Sequence, residues 1–481
     1  MAHNEHILLL DQGGHSSRAI LFDGGGRRLA DASAGVAIHA DQNGRVEIDS
    51  RLIEQSLDRV LADIAAQARQ LGISQIGRAA LIVQRSSFLA CDTQHGQPLT
   101  PVISWMDSRN AGWFAGHADQ MERIQAITGL YPNGHYAASK IRWLLDHHAG
   151  VAAACARQHC LFVPLAAWLA HYLCRTPAMP VDAVIASRTL LMDMQQWQWS
   201  DELLALFGIA RAALPAIVDS DYPFGDIRAG DYRIPLQLAG GDQSFVAFAA
   251  GVDAIEDSAF VNVGSGAFIQ AVCDSLPAHT RLLKSPLVKT AAGTVVALEG
   301  TVNAAASALD WLFARDGEHS IVQMEQALAE QQQVPLFLNT VAGTGSPHWL
   351  PPAPPQFSDE ATAAARLVAV LESIVFLLVD NLADIRRCKP GLRRLVVSGG
   401  LSRSDGFCRK LASLAGLPVW RSDDVEASAR GAAFYLLGIR AQDSGLQYQC
   451  INPGQDAALE KRYRRHCLRM HNYATCGHWQ E

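Results

Sequence analysis

Two aspartates stand beside glycine pairs at widely separated points of the 481-residue sequence. Asp11 ends an apolar run and is followed by Gly13 and Gly14, whereas Asp242 directly follows two further glycines. Glycine turns let backbone N–H groups approach phosphate oxygens closely, because no Cβ stands in the way. Transfer of a phosphoryl group needs such donors, a place for Mg²⁺ and a base near the attacking hydroxyl. The pattern suits a metal-holding carboxylate at Asp11 and a base at Asp242.

Each of these features also has a simpler structural explanation. Asp242 precedes a stretch of small residues, 243–251, that is predicted to be helical, and aspartate is a favoured N-cap residue. A single glycine turn is common in hairpins that bind no phosphate. From the residues alone, the base and the capping interpretations of Asp242 both stay open.

Strand hairpins are the elements that must position the first turn. Residues 6–10 and 18–22 are predicted strands on either side of the turn, and a third strand is predicted over 28–36. Residues 50–70 then carry apolar side chains at the spacing of an amphipathic helix: Leu52, Ile53, Leu57, Val60, Leu61 and Ile64.

The same local pattern returns in the second half of the chain. Residues 258–273 predict a strand, a turn at Gly264-Ser265-Gly266 and a second strand. Residues 395–400 lead another strand into glycines, and a helix is predicted over 405–415. We therefore expect two lobes, each with its own glycine hairpin.

Length and turn-forming residues suggest where the lobes divide. A chain of 481 residues exceeds one hydrophobic core and fits two domains of ordinary size. The turn-rich stretch 220–241 is the predicted boundary. The predicted ranges are an N-terminal lobe over 1–241, a C-terminal lobe over 242–440, and a tail over 441–481 packed on the second lobe.

Composition excludes several classes of partner. The formal net charge of −7 argues against nucleic acid, whose binders need a clustered positive surface. The apolar run 7–10 is too short for a signal core or a membrane span, and the ten cysteines show no CxxC or zinc spacing. A cytoplasmic protein is expected. A short basic cluster is predicted to be a solvated helix face: Lys461, Arg462, Arg464 and Arg465.

Several segments, in collinear order, resemble the FGGY family of carbohydrate kinases, and most of all its glycerol kinase and pentulose kinase group. The string DQGGHSSRAILFD at 11–23 is similar to the first phosphate motif of the family. Further similar segments follow in order, and their ranges are 79–85, 101–109, 135–147, 186–194, 202–209, 240–248, 261–268, 297–312, 343–349, 398–407 and 426–436. The resemblance thus runs from residue 8 to about residue 440.

The resemblance implies an α/β fold of two actin-like, ribonuclease H-like lobes with a catalytic cleft between them. It implies ATP and Mg²⁺ as cofactors and a small sugar or polyol as substrate, with Asp242 as catalytic base and Asp11 and Asp242 at the metal. The implied acceptor residues are Arg85, Trp105, Tyr136, Gln243 and Phe268. The implied nucleotide residues are Gly13, Gly14, His15, Arg18, Ser265, Gly266, Asp310, Gly399, Gly400 and Ser404.

Five positions depart from the family pattern. Gly14 and His15 stand where the family usually has hydroxyl residues, so two side-chain donors are lost. Ser86 stands where glycerol kinases have a glutamate that binds the polyol, which favours a ketose or a longer polyol over glycerol. Asp310 replaces a typical glutamine and Ala306 a typical glycine.

Three functions compete. The first is ATP-dependent phosphorylation of a sugar or polyol hydroxyl. The second is a catalytically silent relative that senses nucleotide or sugar, which Gly14 and His15 favour. The third, an actin-like ATPase acting on proteins, has no use for Arg85, Trp105 and Tyr136 around the base. The enzyme is favoured by the retention of Asp11, Arg18, Asp242 and Ser265. A homodimer is the default expectation for its assembly.

Overall fold

The structure is a computed structural model, and it describes residues 5–331, 333–422, 426–476 and 479. The chain separates into two compact units. Unit 1 comprises the described residues of Met1–Val252, Lys284–Val296 and Ser428–Ser444, and unit 2 those of Asp253–Leu283, Ala297–Ala427 and Gly445–Glu481. The contiguous ranges 1–241, 242–440 and 441–481 remain a prediction, as does the cleft between the lobes.

The strands and helices that begin in the first 252 residues make up most of unit 1. Its strands are β1 (His6–Gln12), β2 (Ser16–Asp23), β3 (Arg28–Gly35), β4 (His39–Ala40), β5 (Val46–Ile48), β6 (Arg78–Val83), β7 (Phe88–Asp92), β8 (Gln97–Pro98), β9 (Val102–Ile103), β10 (Cys160–Pro164), β11 (Val181–Asp182), β12 (Met192–Asp193), β13 (Gln198–Trp199), β14 (Ile217–Val218), β15 (Gly225–Ala229) and β16 (Tyr232–Gly241). Its helices are α1 (Ser50–Gln70), α2 (Met121–Thr128), α3 (Ala137–His147), α4 (Ala149–Ala156), α5 (Leu165–Cys174), α6 (Ala183–Ser187) and α7 (Asp201–Phe207).

The remaining elements begin after residue 252. The strands are β17 (Ser258–Val263), β18 (Ala267–Val272), β19 (Leu283–Thr290), β20 (Gly293–Val302), β21 (Phe337–Leu338), β22 (Gln356–Phe357), β23 (Arg394–Ser398), β24 (Val419–Ser422) and β25 (Tyr448–Ile451). The helices are α8 (Ala306–Asp316), α9 (Ile321–Glu330), α10 (Ala363–Cys388), α11 (Asp405–Ala415), α12 (Ala427–Leu437) and α13 (Ala457–Cys476).

A six-stranded sheet forms the centre of unit 1, in the order β15-β16-β6-β1-β2-β3. Strands β1, β2 and β3 pair in antiparallel order. Strand β6 runs parallel to β1, and β16 runs parallel to β6. Strand β1 is buried along nearly its whole length, as expected for a strand inside a covered parallel sheet. The strands predicted over 6–10, 18–22 and 28–36 are therefore confirmed.

Helix α1 packs one apolar face inward, as the spacing of its apolar residues predicts. Asp49 is its N-cap and accepts a hydrogen bond from the backbone N–H of Arg51. Ile53, Leu57 and Ile64 are buried. Leu52, which we included in the same face, is 39% exposed, so that part of the prediction is wrong.

Unit 2 repeats the strand order of the first sheet. After its edge strand β19, the second sheet has the strand order β20-β18-β17-β23-β24-β25. In it the hairpin β17-β18 is antiparallel, and β23 runs parallel to β17. This is the relation that β1, β2 and β6 have in unit 1. Helix α11 begins at Asp405 and ends at Ala415, which confirms the helix predicted there. The repeated arrangement agrees with the predicted pair of similar lobes.

The C-terminal helix is attached to the core of unit 2 by a buried ion-pair cluster. The Glu372 carboxylate on α10 accepts hydrogen bonds from Nζ of Lys410 at 2.9 Å and from Nε and Nη2 of Arg462, each at 2.7 Å. Arg462 was predicted to lie on a solvated face, but it is buried. The reason is that the carboxylate of Glu372, itself buried, needs a charged partner.

Within unit 1, helix α12 packs so closely on the backbone at Phe245 that only glycine fits at Gly431. A Cβ added there would lie 1.8 Å from the carbonyl oxygen of Phe245, and a backbone atom cannot rotate away as a side chain can. We expect Gly431→Ala to lower the free energy of unfolding by about 3 kcal/mol, the upper end of the range for overpacking. Chemical denaturation measures this change.

Gly112→Ala is the matched control, because nothing lies within 4 Å of a Cβ added at that glycine. Equal stabilities of the two variants would contradict the close contact described for α12.

Candidate active site

Three parallel strands end side by side at one edge of the sheet of unit 1. Gln12 at the end of β1 and Gly241 at the end of β16 both lie opposite Val83, the last residue of β6. Ligands of parallel α/β sheets bind at the carboxyl ends of the strands. This register therefore gathers the segments that follow each strand: 13–16, 84–87 and 242–248.

Asp242 is the first residue of a 3₁₀ helix, Asp242–Phe248, whose N-cap is Gly241. One carboxylate oxygen, Oδ1, accepts the backbone N–H of Gln243 at 2.7 Å. The N-cap is thus Gly241 and not Asp242, so the capping interpretation is wrong in its residue. The side chain of Asp242 is only partly buried. Its role as base remains a prediction.

Arg85 lies against the glycine that precedes Asp242. A Cβ at Gly241 would be 2.7 Å from Cγ of Arg85 and 2.8 Å from its Cδ. Only glycine lets the stem of the arginine cross the backbone at this point. The sheet edge thus brings together two of the predicted residues, an arginine and the candidate base.

Two of the predicted acceptor aromatics are connected through a histidine that sequence reasoning missed. The ring of His135 lies 5.3 Å from that of Trp105 and 5.2 Å from that of Tyr136. The backbone N–H of Trp105 donates to the hydroxyl of Ser87 at 3.0 Å, which links these rings to the segment that carries Arg85. Tyr136 is buried and Trp105 is partly exposed.

A buried lysine holds the backbone beneath Trp105. Nζ of Lys140, at the start of α3, donates to the carbonyl oxygens of Ser104 at 2.9 Å and of Trp105 at 3.4 Å. Desolvation lowers the pKa of Lys140 to about 7, with Asp107 opposing and Arg109 adding to the effect. Nothing in the local pattern of the sequence marks this lysine, because its importance comes from being buried.

The turn after β1 is closed by its own backbone. The N–H of Gly13 donates to the carbonyl of Ser16 at 3.0 Å, and the side-chain amide of Gln12 donates to the carbonyl of Gly13 at 2.9 Å. Gly13 and Gly14 are partly exposed, and His15 is exposed. The turn is therefore formed and open to solvent.

Asp11 and Arg18 face each other across the hairpin. They are cross-strand partners in β1 and β2, and Nη2 of Arg18 donates to Oδ2 of Asp11 at 2.9 Å. Asp11 is buried, so the ion pair compensates its charge. The pair links the two strands beside the turn.

The corresponding strand ends of unit 2 carry the second set of glycines. The carbonyl of Ser265, in the turn between β17 and β18, accepts the N–H groups of Ala305 at 2.8 Å and of Ser307 at 3.1 Å, at the start of α8. Gly399 follows β23 with φ +88°, and a Cβ there would lie 2.5 Å from the carbonyl of Val263. The structure thus brings Ser265, Gly266, Gly399 and Gly400 to the ends of neighbouring strands.

The other predicted residues of unit 2 have structural surroundings of their own. Ser404 is the N-cap of α11, where its hydroxyl accepts the N–H of Phe407 at 3.1 Å and donates to Glu325. Asp310 is exposed on α8, and Phe268 is partly buried on β18. Their contacts with nucleotide or acceptor remain predictions.

Comparisons with known proteins show the family. Residues 6–249 match the N-terminal domain, and residues 259–438 the C-terminal domain, of the FGGY family of carbohydrate kinases. The chain is 32% identical to a glycerol kinase of Aromatoleum aromaticum, over 90% of each chain. It is 30% identical to a glycerol kinase of Acaryochloris marina, over 98% of this chain and 99% of that one.

Solved structures share the fold at lower identity. A glycerol kinase of Plasmodium falciparum with ADP superposes with a TM-score of 0.84 at 21% identity, covering 98% of this chain and 97% of that one. A xylulose kinase of Rhodospirillum rubrum gives 0.85 at 21% identity, covering 98% and 99%. The fold is therefore the two-domain α/β fold of the actin-like ATPases.

The chain belongs to the FGGY family of carbohydrate kinases. It is a phosphotransferase that uses an alcohol group as acceptor, and its family implies ATP as the donor. Within the described part of the chain, no helix combines the length and apolarity needed to span a membrane. The described residues also contain no group of three or more His, Cys, Asp or Glu that could hold a metal ion.

The buried lysine beneath Trp105 predicts a pH dependence of stability. The pKa of Lys140 is about 7 in the folded chain and about 10.4 in an unfolded one. Between these values the unfolded chain binds more protons, so the contribution of Lys140 to stability rises with pH. Relative to Lys140→Met, we expect the free energy of unfolding to rise by at most about 1.4 kcal/mol per pH unit from pH 7.5 to 9.

Denaturation of both proteins at a series of pH values measures this difference. Two stability curves that stay parallel over that interval would contradict a buried lysine with a lowered pKa.

Proposed function

We propose that this protein transfers the terminal phosphoryl group of ATP to a hydroxyl of a small polyol or ketose, with Asp242 as general base. The observation that carries the proposal is the convergence of Asp242 and Arg85 with the turn at Gly13 and Gly14 on one sheet edge. Membership of the family supports the reaction class.

In this mechanism Asp242 accepts the proton of the acceptor hydroxyl as that oxygen attacks phosphorus. Its carboxylate is held at a helix start by the N–H of Gln243, so little reorganisation is needed. Arg85 and Gln243 orient the acceptor, and Trp105 and Tyr136 supply apolar walls that exclude water. Arg18 and the backbone N–H groups of the turn at Gly13 and Gly14 meet the charge of the triphosphate.

The residues present fit a magnesium ion held largely by phosphates and water. Mg²⁺ is commonly bound by one or two carboxylates together with substrate phosphates, and the described residues offer no larger acidic cluster. Asp11 and Asp242 are the carboxylates that would hold it. When bound, the ion would neutralise charge that develops on the phosphoryl oxygens.

Ser86 supports an acceptor other than glycerol. Its hydroxyl is buried, and it has no hydrogen-bond partner among the described residues. A serine cannot reach as far as a glutamate and carries no charge, so a pocket built around it suits a bulkier acceptor, a ketose or a longer polyol. Because relatives of the chain are named glycerol kinase, glycerol is the acceptor with which ketoses and longer polyols must be compared.

A catalytically silent sensor is the second candidate, and the loss of hydroxyl side chains at Gly14 and His15 favours it. Such a protein would bind nucleotide or sugar but release no ADP, because it would not transfer the phosphoryl group.

Replacement of the base tests the mechanism. We expect Asp242→Asn to lower turnover at saturating Mg²⁺ and ATP by at least about 100-fold, the scale of a general base. ADP release by purified protein against a panel of polyols and ketoses, glycerol included, measures this. Asp226→Asn, at a partly exposed aspartate paired with Arg233, is the control. Turnover that survives Asp242→Asn would exclude the mechanism, and wild-type binding without turnover would favour the sensor.

Restoring a carboxylate beside Arg85 tests the acceptor assignment. We expect Ser86→Glu to raise kcat/KM for glycerol relative to a ketose by about 10-fold or more, since a hydrogen bond to a charged group contributes about 1.5–3 kcal/mol. Ser86→Gln is the control for size without charge. If both variants keep the wild-type acceptor order, Ser86 does not select the acceptor.

A further inference from the structure

Gln84 is the most unusual polar side chain at this sheet edge. It is 4% exposed, and neither Oε1 nor Nε2 has a hydrogen-bond partner among the described residues. A buried amide without a partner loses its hydration and gains nothing in exchange. A leucine of similar size would fill the same space without that cost.

The amide of Gln84 faces the turn at Gly14. Gln84 directly follows β6, and its backbone N–H donates to the carbonyl of Gln12 at 2.9 Å. A Cβ built on Gly14 would lie 3.6 Å from Oε1 of Gln84 and would meet no other heavy atom within 4 Å. No hydrogen bond fixes the amide, so a half-turn about its last bond can aim Nε2 at the turn instead.

The glycine at position 14 explains why the amide is left unpaired. A serine at this position would fit in ordinary van der Waals contact, and its hydroxyl would lie within reach of the Gln84 amide. Glycine offers no such partner. The amide is therefore available to whatever binds at the turn.

We propose that Gln84 is a further phosphate-binding residue, whose side-chain amide donates to the terminal phosphoryl group of the bound donor at the turn of Gly13 and Gly14. The proposal rests on the proposed function. An amide N–H that meets a charged oxygen in a water-poor site forms a stronger hydrogen bond than one that meets a neutral group. In this chain the glutamine thus takes over the donor function that a hydroxyl residue at position 14 would supply.

The test compares two nucleotides that differ by one phosphoryl group. Affinities of wild type and Gln84→Leu are measured by calorimetry, with Mg²⁺, for ADP and for a non-hydrolysable ATP analogue. We expect the variant to bind the analogue about 10- to 100-fold more weakly, the scale of one hydrogen bond to a charged group, and to bind ADP within about twofold of wild type. A residue that only supports the sheet would change both affinities alike or neither.

Gly14→Ser in the Gln84→Leu background provides a rescue. The serine returns a donor to the turn at a position with room for it, so we expect at least about half of the lost analogue affinity, on a logarithmic scale, to return. Denaturation of Gln84→Leu is the control for folding, and its stability should equal or exceed that of wild type because a costly buried amide is removed.

Every outcome decides the assignment. Unchanged affinity for both nucleotides means that the amide holds an internal water, and equal losses for both mean that it acts on nucleotide in general; either result overturns the proposal. Absence of wild-type turnover would remove the proposed function, whereas the comparison of the two nucleotides would still report on Gln84.

Discussion

The parallel register of β1, β6 and β16 is the constraint on which the candidate site depends. Because Gln12, Val83 and Gly241 end in line, three segments distant in sequence leave the sheet at the same edge. A shift of one residue in any strand would reverse the direction of its side chains. The buried core beneath the sheet therefore sets the site geometry as firmly as the site residues themselves.

Close approach of backbone is the second condition, and it explains why glycines recur where they do. Gly241 admits the stem of Arg85, and Gly399 admits the carbonyl of Val263. In both places a larger residue would collide with the neighbour, which at Gly241 is the predicted acceptor residue Arg85. The glycines are thus required by packing, whether or not phosphate binds at every turn.

The hairpins, helix α1 and the family could be predicted, because the spacing of apolar residues, the turn residues and the order of the motifs can all be read directly from the sequence. Gln84, His135 and Lys140 could not be found in that way. Gln84 matters because both of its polar atoms are buried without partners, and Lys140 matters because it lies beneath Trp105. Such properties exist only once distant segments meet. Arg462 was misread for the same reason, since its partner Glu372 lies 90 residues earlier.

The carboxylate of Glu372 makes the last helix indispensable to unit 2. Lys410 and Arg462 reach it from different helices. Truncation before Arg462 would remove both guanidinium hydrogen bonds to this buried carboxylate and leave Lys410 as its charged partner. A hydrogen bond to a charged group contributes about 1.5–3 kcal/mol, a large part of what holds a domain together. Affinity tags or fusions at this end therefore need a linker that leaves the helix packed on unit 2. A variant shortened before Arg462 is expected to aggregate during expression rather than to lose only its last helix.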